Sequence, residues 1–227
     1  MIYEILSGPF ALGSFLIFFV GILARGILYL RGLDWQLDRV TYSVNRYHGM
    51  KGAAKSILYW LLPLGTRGWR NKFGFMFVAF VFHISILTTP LFIKGHNYLL
   101  MERWGFSFWS MPDFMADFLT LAAIVAALII LLRRLSFPEV RIITTPRNIV
   151  LLIIAAAPFV TGFIAHKQLG NYDFWLAAHI LSGEIMLISI PFTKLSHFIL
   201  FFFSRAQIGM DFGIKRGGMK KSKGMAW

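Results

Sequence analysis

The sequence of 227 residues contains no cysteine and few charged residues. Without cysteine the chain can form neither a disulfide nor a cysteine-ligated iron–sulfur cluster of its own. Only 15% of its residues are charged, whereas 57% are hydrophobic and the mean hydropathy is +0.66. This balance excludes an ordinary soluble domain and indicates a membrane protein.

Acidic residues are also scarce, 10 against 23 Lys and Arg, which gives a net charge of +13. No soluble domain with aromatic residues among the cations accompanies this charge, so it does not indicate nucleic-acid binding. Lys and Arg resist translocation, and here they collect in the first and third connections and the tail. The opposite side carries only Lys94, Arg103 and Lys167. This asymmetry predicts a periplasmic N-terminus and a cytoplasmic C-terminus, with anionic membrane lipids as partners of the cations.

Five apolar segments are long enough to cross about 30 Å of hydrocarbon at about 1.5 Å per residue. They cover residues 8–30, 73–93, 114–132, 148–165 and 174–203. The first lacks a basic leader region and is too long for a signal sequence, so we expect it to be retained. The sequence therefore predicts an all-α polytopic membrane protein, one five-helix bundle over residues 1–227, with a cytoplasmic loop at 31–72 and a cytoplasmic tail at 204–227.

The loop at 31–72 is unusually long and mixes aromatic residues with charges. The loop, which includes the runs from Asp34 to Arg39 and from Trp60 to Arg70, is predicted to be an amphipathic interfacial stretch followed by a turn. Two interpretations stay open. The loop is either a docking platform for a cytoplasmic partner subunit or a segment anchored in the headgroups by Trp60 and Trp69.

Four histidines lie on or beside the second and fifth segments, at His83, His96, His179 and His197. A histidine inside a bilayer needs a partner, and two imidazoles from facing helices are the usual axial ligands of an electron-transferring b-type haem. His179 and His197 are 18 residues apart, which returns to the same face of one straight helix. His83 and His197 have matching depths and are predicted to hold the haem nearer the cytoplasm.

The outer haem would be held by His179 and one further ligand. His96 lies 13 residues beyond His83, which is about 140° around a straight helix, so it needs a kink at Pro90 to reach the same neighbour. His166 is the competing ligand. Each histidine has the simpler alternative of a hydrogen bond to a backbone carbonyl or serine in the core.

The histidine-bearing segments resemble those of the cytochrome b (gamma) subunit of respiratory nitrate reductase. The resemblance rests on the five-helix plan and on runs 82–87 (FHISIL), 179–184 (HILSGE) and 191–197 (PFTKLSH). It extends over essentially the whole chain, and the 18-residue spacing matches the family. Within this family the chain most resembles short b-type subunits of the high-molecular-weight cytochrome and tetrahaem-cytochrome membrane complexes of sulfate-reducing bacteria. It departs in the second helix, where the family places its histidines closer together.

This resemblance implies a dihaem cytochrome b in the bacterial inner membrane, an electron-transfer subunit of a quinone-linked oxidoreductase rather than a stand-alone enzyme. Two haem b groups would exchange electrons with menaquinone near the outer haem. The implied partners are a cytoplasmic iron–sulfur subunit, other integral membrane subunits and a periplasmic multihaem cytochrome c.

Charged residues inside a membrane are costly and are therefore functional candidates. Glu184, five residues from His179, is a candidate proton relay for quinone chemistry, or else a hydrogen-bonding partner of a neighbouring Ser or His. Arg25 and Lys194 are candidate partners of haem propionates, or else reach the headgroups. Lys94 and Lys167 border the outer site and are further propionate candidates.

Two haem-free alternatives remain open. One is a proton or ion transporter that uses Glu184, Lys194 and the histidines as a relay, although the absence of an inverted sequence repeat fits a transporter poorly. The other is a structural membrane anchor for peripheral redox subunits.

Overall fold

The computed structural model of the chain describes residues 2–33 and 46–216, and within these ranges its regular elements are helices. Residues 34–45 of the predicted interfacial loop, which include Asp34 to Arg39, and the distal tail at 217–227 lie outside the described residues. The α-helices are α1 (Ile2–Ile5), α2 (Ala11–Arg31), α3 (Arg46–Leu61), α4 (Arg67–Asn71), α5 (Phe73–Phe92), α6 (Lys94–Trp104), α7 (Asp113–Ser136), α8 (Pro138–Arg141), α9 (Pro146–His166), α10 (Tyr172–Phe192) and α11 (His197–Arg216).

Within the described ranges, five helical segments are long and apolar enough to cross a membrane. They are Tyr3–Arg31, Phe73–Phe92, Asp113–Ser136, Pro146–His166 and Tyr172–Phe192. The first joins α1 and α2 through a π-helical turn, Leu6–Phe10, which contains a proline. The prediction of an all-α, multi-pass membrane protein is confirmed.

The fifth predicted segment, 174–203, is not one helix. Helix α10 ends at Phe192, and the backbone at Thr193 is extended (φ −126°, ψ −175°). Helix α11 begins at His197 after a short 3₁₀ turn. Pro191 disrupts the hydrogen-bond ladder of the last turn, and the Thr193 hydroxyl accepts a bond from the Leu195 N–H at 3.2 Å. The same-face relation predicted for His179 and His197 required one straight helix and no longer follows. The predicted tail is helical as far as residue 216.

The second segment also differs from its prediction. Helix α5 continues through Pro90 to Phe92, and the direction changes at Ile93, whose backbone is extended (φ −76°, ψ 137°). Helix α6 then starts at Lys94. The predicted kink at Pro90 is therefore a break three residues later, and His96 lies on a separate helix.

The predicted loop at 31–72 contains two helices, α3 and α4. The Thr66 side chain caps α4 by accepting from the Trp69 N–H at 3.2 Å. Trp69 is buried, and Trp60 packs under the Arg205 guanidinium at 4.5 Å from its ring centroid. Both rings are therefore engaged within the protein, and the choice between a docking platform and a loop anchored in the headgroups stays a prediction.

The chain divides into two compact units, Met1–Phe15 with Phe77–Ile188 and Leu16–Met76 with Ser189–Trp227. The core of the first unit joins Phe82 of α5 to Ala126, Ala127 and Ala155 of α7 and α9. Alanines at these positions let the helix backbones approach closely, which is how helices commonly pack in membranes.

In the second unit α2 lies along α11. The Tyr29 hydroxyl and the Gln207 side-chain oxygen are 2.6 Å apart, and a Cβ at Gly26 would meet the Phe203 ring at 3.5 Å. Helix α11 also packs closely against α3.

Candidate functional site

Two of the predicted histidines meet in the first unit. His96 of α6 and His179 of α10 have ring centroids 5.8 Å apart and ring planes within 16° of parallel. Both side chains are half-buried. The break at Ile93 makes the contact possible, because it frees His96 from the helical phase of His83.

Each of these imidazoles is oriented by a backbone carbonyl. His96 Nδ1 lies 2.8 Å from the Pro90 carbonyl oxygen, and His179 Nδ1 lies 2.9 Å from that of Pro158. A carbonyl can only accept a hydrogen bond, so Nδ1 donates and the lone pair of the neutral ring sits on Nε2. Within residues 2–33 and 46–216 neither Nε2 has a hydrogen-bond partner.

The first of these carbonyls belongs to the end of a helix. Pro90 lies in the last turn of α5, whose carbonyls have no intrahelical partner, so His96 satisfies an otherwise unpaired acceptor. Burial lowers the pKa of His96, which lies outside the spanning helices, so its ring is neutral near pH 7. A neutral imidazole is the form that ligates metals.

Gly162 of α9 makes room for the His179 ring. A Cβ at this position would lie 2.8 Å from both Nδ1 and Cε1 of the imidazole, closer than side-chain carbons approach one another. We did not single out Gly162 from the sequence. Its signal was a lone glycine inside an apolar helix, a position where glycine is costly unless something packs against it.

Asn97, the neighbour of His96, is a second residue that sequence reasoning missed. Its buried side chain donates to the Ser110 hydroxyl at 3.1 Å and accepts from the Phe108 N–H at 2.9 Å. These bonds tie α6 to the connection that follows it and so hold the helix that carries His96.

The small residues after His179 have different surroundings. Ser182 bonds across to Thr161 at 3.1 Å and to the His179 carbonyl at 2.9 Å, so it joins α10 to α9. A Cβ at Gly183 would meet no atom within 4 Å among the described residues.

His83 and His197 share the local chemistry of the outer pair but are exposed. His83 Nδ1 lies 2.6 Å from the Ala79 carbonyl oxygen, and His197 Nδ1 lies 2.8 Å from that of Lys194. His83 belongs to the first unit and His197 to the second. Their pairing stays a prediction from the sequence.

The competing ligand His166 is engaged elsewhere. Its Nε2 lies 3.5 Å from an Asp117 carboxylate oxygen, and the Lys167 ammonium lies 2.6 Å from the other. Lys94 is paired with Asp113 at 2.9 Å. The two lysines expected at the outer propionates are therefore neutralised by carboxylates of α7.

Arg25 caps the end of a helix. Its Nε donates to the Pro191 carbonyl at 2.8 Å, so the guanidinium of α2 satisfies an acceptor in the last turn of α10. Lys194 is exposed three residues later. Both propionate candidates thus belong to the second unit, at the break around Thr193.

Glu184 is the most deeply buried charged candidate. The residue is 6% exposed, and among the described residues neither carboxylate oxygen has a hydrogen-bond partner. The alternative of a bond to a neighbouring Ser or His is not seen in that part of the chain. An unpaired carboxylate in this environment is costly.

No family model and no solved structure matches the chain. A protein of Nitratidesulfovibrio vulgaris (strain Hildenborough), whose name, "Protein", states no activity, is 51% identical over 225 residues. The aligned region covers 99% of this chain and 100% of that protein. The chain therefore belongs to the same family of membrane proteins as this Nitratidesulfovibrio relative.

Proposed function

We propose that this chain is the dihaem b-type membrane subunit of a respiratory redox complex in the bacterial inner membrane. It carries electrons between the menaquinone pool or periplasmic cytochromes and a cytoplasmic iron–sulfur subunit, beside other integral membrane subunits. The observation that carries the proposal is the meeting of His96 and His179 with both Nε2 lone pairs left for a ligand.

The donor set of the outer pair fits haem. His96 and His179, whose ring centroids are 5.8 Å apart, would each offer a neutral Nε2 to the haem iron. Among the described residues no group of three or more His, Cys, Asp and Glu side chains could hold a bare metal ion. Haem iron needs only the two axial ligands.

The protein's own contribution is to hold these ligands in place. The Pro90 and Pro158 carbonyls fix the tautomer and direction of the rings, as second-shell acceptors commonly do at metal sites. Gly162 lets α9 support the ring of His179. When bound, haem supplies the one-electron carrier, and its surroundings tune the potential.

A second haem would be held by His83 and His197. In both residues Nδ1 donates to a carbonyl, as in the outer pair. Arg25 uses Nε for Pro191, and the remaining guanidinium nitrogens of Arg25 together with Lys194 are suited to haem propionates.

Glu184 is proposed to take up or release the proton when menaquinone changes its redox state near the outer haem. Its two buried oxygens support this role, because among the described residues neither is committed to a hydrogen bond. The relative's origin in a sulfate reducer accords with the resemblance to membrane complexes of such bacteria.

A haem assay tests the proposal directly. The purified chain should show a reduced-minus-oxidised b-type absorption band and about two haems per chain by pyridine haemochrome analysis, as two axial pairs require. A chain with no such band after expression with ample haem supply would overturn the proposal and leave the haem-free relay or the structural anchor.

The role of Glu184 is tested separately. Glu184→Gln should slow menaquinol-dependent haem reduction while the haem content stays intact. Glu102→Gln, an exposed acid on α6, is the matched control and should leave the rate unchanged. A normal rate in Glu184→Gln excludes the proton role without touching the haem assignment.

A further inference from the structure

Helix α3 has two apolar faces on opposite sides. One carries small residues, Gly49, Gly52, Ala53 and Ser56, and packs against α11. The contact is close: a Cβ at Gly209 would lie 2.5 Å from the Gly52 carbonyl oxygen and 2.7 Å from the Ser56 Cβ. This face is therefore fully used within the protein.

The opposite face of α3 is apolar and exposed in the part of the chain that the structure describes. Tyr47 is 72% exposed, Met50 67%, Leu58 56% and Leu61 45%, and Ala54 is exposed between them. Their spacing of three and four residues places them in one stripe along the helix. Below, "the α3 stripe" means these five residues.

Charges of one sign surround the α3 stripe. Residues 46–72 contain six Lys and Arg and no Asp or Glu. All six are exposed: Arg46, Lys51, Lys55, Arg67, Arg70 and Lys72. Lys51 and Lys55 lie along one edge of the stripe, and Arg46 lies on the other.

This pattern favours a lipid surface over a protein partner. An anionic bilayer presents one sign of charge over a wide area, which matches a surface whose charged residues are all cations. A helix of low overall hydrophobicity with an apolar stripe beside Lys and Arg is typical of the membrane interface. Only residues 62–72 separate α3 from α5, which crosses the membrane, so α3 stays near the end of a spanning helix.

We propose that α3 lies in the membrane–water interface, with its stripe among the upper acyl chains and Lys51 and Lys55 on phosphates of anionic phospholipids. The occupant is the lipid of the membrane that the chain itself crosses. This inference is independent of haem, since it uses neither the histidines nor Glu184.

The absence of cysteine allows a site-directed test. Single variants Met50→Cys and Leu58→Cys carry a nitroxide on the stripe, and Lys55→Cys carries it on the charged edge as a matched control. The full chain is reconstituted in nanodiscs of phosphatidylcholine with phosphatidylglycerol. The two stripe labels should be accessible to oxygen and shielded from a water-soluble nickel chelate, whereas the Lys55 label should show the reverse.

Charge dependence completes the test. Lys51→Gln with Lys55→Gln should increase the nickel accessibility of the Leu58 label in the anionic nanodiscs to the level seen in pure phosphatidylcholine. Arg141→Gln with Arg147→Gln removes the same charge from exposed sites on another connection and should have no such effect. An unchanged thermal melt shows that each variant is folded.

Two results would overturn the inference. One is nickel accessibility of both stripe labels in anionic nanodiscs. The other is shielding that appears only when partner subunits of the assembled complex are added, which would assign the stripe to a protein interface.

Discussion

Two helix breaks in the chain are built alike from similar residues. Each helix carries a proline in its last turn, at Pro90 and at Pro191. Each break places one residue, Ile93 or Thr193, in extended conformation, and a lysine and then a histidine follow. In both cases the break sets the direction of the histidine in the first turn of the next helix.

The two breaks differ in what satisfies the freed carbonyl. At the first, His96 itself donates to the Pro90 carbonyl, which fixes the ring where it meets His179. At the second, Arg25 donates to the Pro191 carbonyl, and His197 turns to the carbonyl of Lys194 instead. Both breaks change the direction of a histidine. Only at the first break does a carbonyl freed by the break bind the imidazole ring itself.

The largest effect is expected on haem content when either histidine of the outer pair is replaced. His96→Ala and His179→Ala should each reduce haem content from about two to about one per chain, because the outer site would lose one of its two protein ligands to the iron. Haemochrome analysis measures this. His166→Ala is the control and should keep both haems, since His166 contacts Asp117 rather than His179. Full haem content in His96→Ala, together with loss of one haem in His166→Ala, would show that His166 and not His96 is the second ligand of the outer haem.

The histidines predicted from the sequence to hold the second haem, His83 and His197, are tested in the same way. His83→Ala and His197→Ala should each remove one haem, and the remaining spectrum should be the same in both variants. The double variant should lose no more than either single variant. Additive losses in the double variant would show that His83 and His197 do not bind the same iron.

A smaller effect is expected behind His179. Gly162→Ala places a methyl 2.8 Å from the imidazole, and overpacking of about 1–3 kcal/mol should weaken haem retention by about tenfold. Gly13→Ala on α2 meets no atom within 4 Å among the described residues and should retain haem normally. The rate of haem transfer to apomyoglobin measures haem retention in the two variants. Equal transfer rates would mean that the ring of His179 is not held against α9.

The smallest effect concerns the second break. Arg25→Ala removes the bond to Pro191 and should lower stability by about 1 kcal/mol, which lowers the Tm by about 2–4 °C. Arg31→Ala removes the same charge at the exposed end of α2 and should change the Tm little. A drop of similar size in both variants would attribute the effect to charge alone.

Much of the fold could be predicted because a lipid bilayer restricts the segments that can cross it to a few kinds. A spanning segment must be long, apolar and internally hydrogen-bonded, and these properties are visible as runs in the sequence. The limits of α5, α7 and α9 were therefore predicted to within a few residues. The prediction failed at 174–203, because an apolar run does not show where proline and a threonine cap interrupt the helix.

The candidate site was predicted in its residues more than in its geometry. A kink at Pro90 was expected to turn His96 toward the neighbouring helix, whereas in the structure the helix breaks at Ile93. Gly162 and Asn97 were missed because their roles depend on contacts with His179 and Ser110, which are distant in the chain.

By itself, the sequence determined that this chain crosses a membrane as helices and that histidines are its main candidate ligands. Apolar length and residue type suffice for both conclusions, because they act locally. Only the tertiary structure decided that His96, and not His166, meets His179, and that proline carbonyls set the direction of both rings. Those relations join separate helices, and helix packing fixes them.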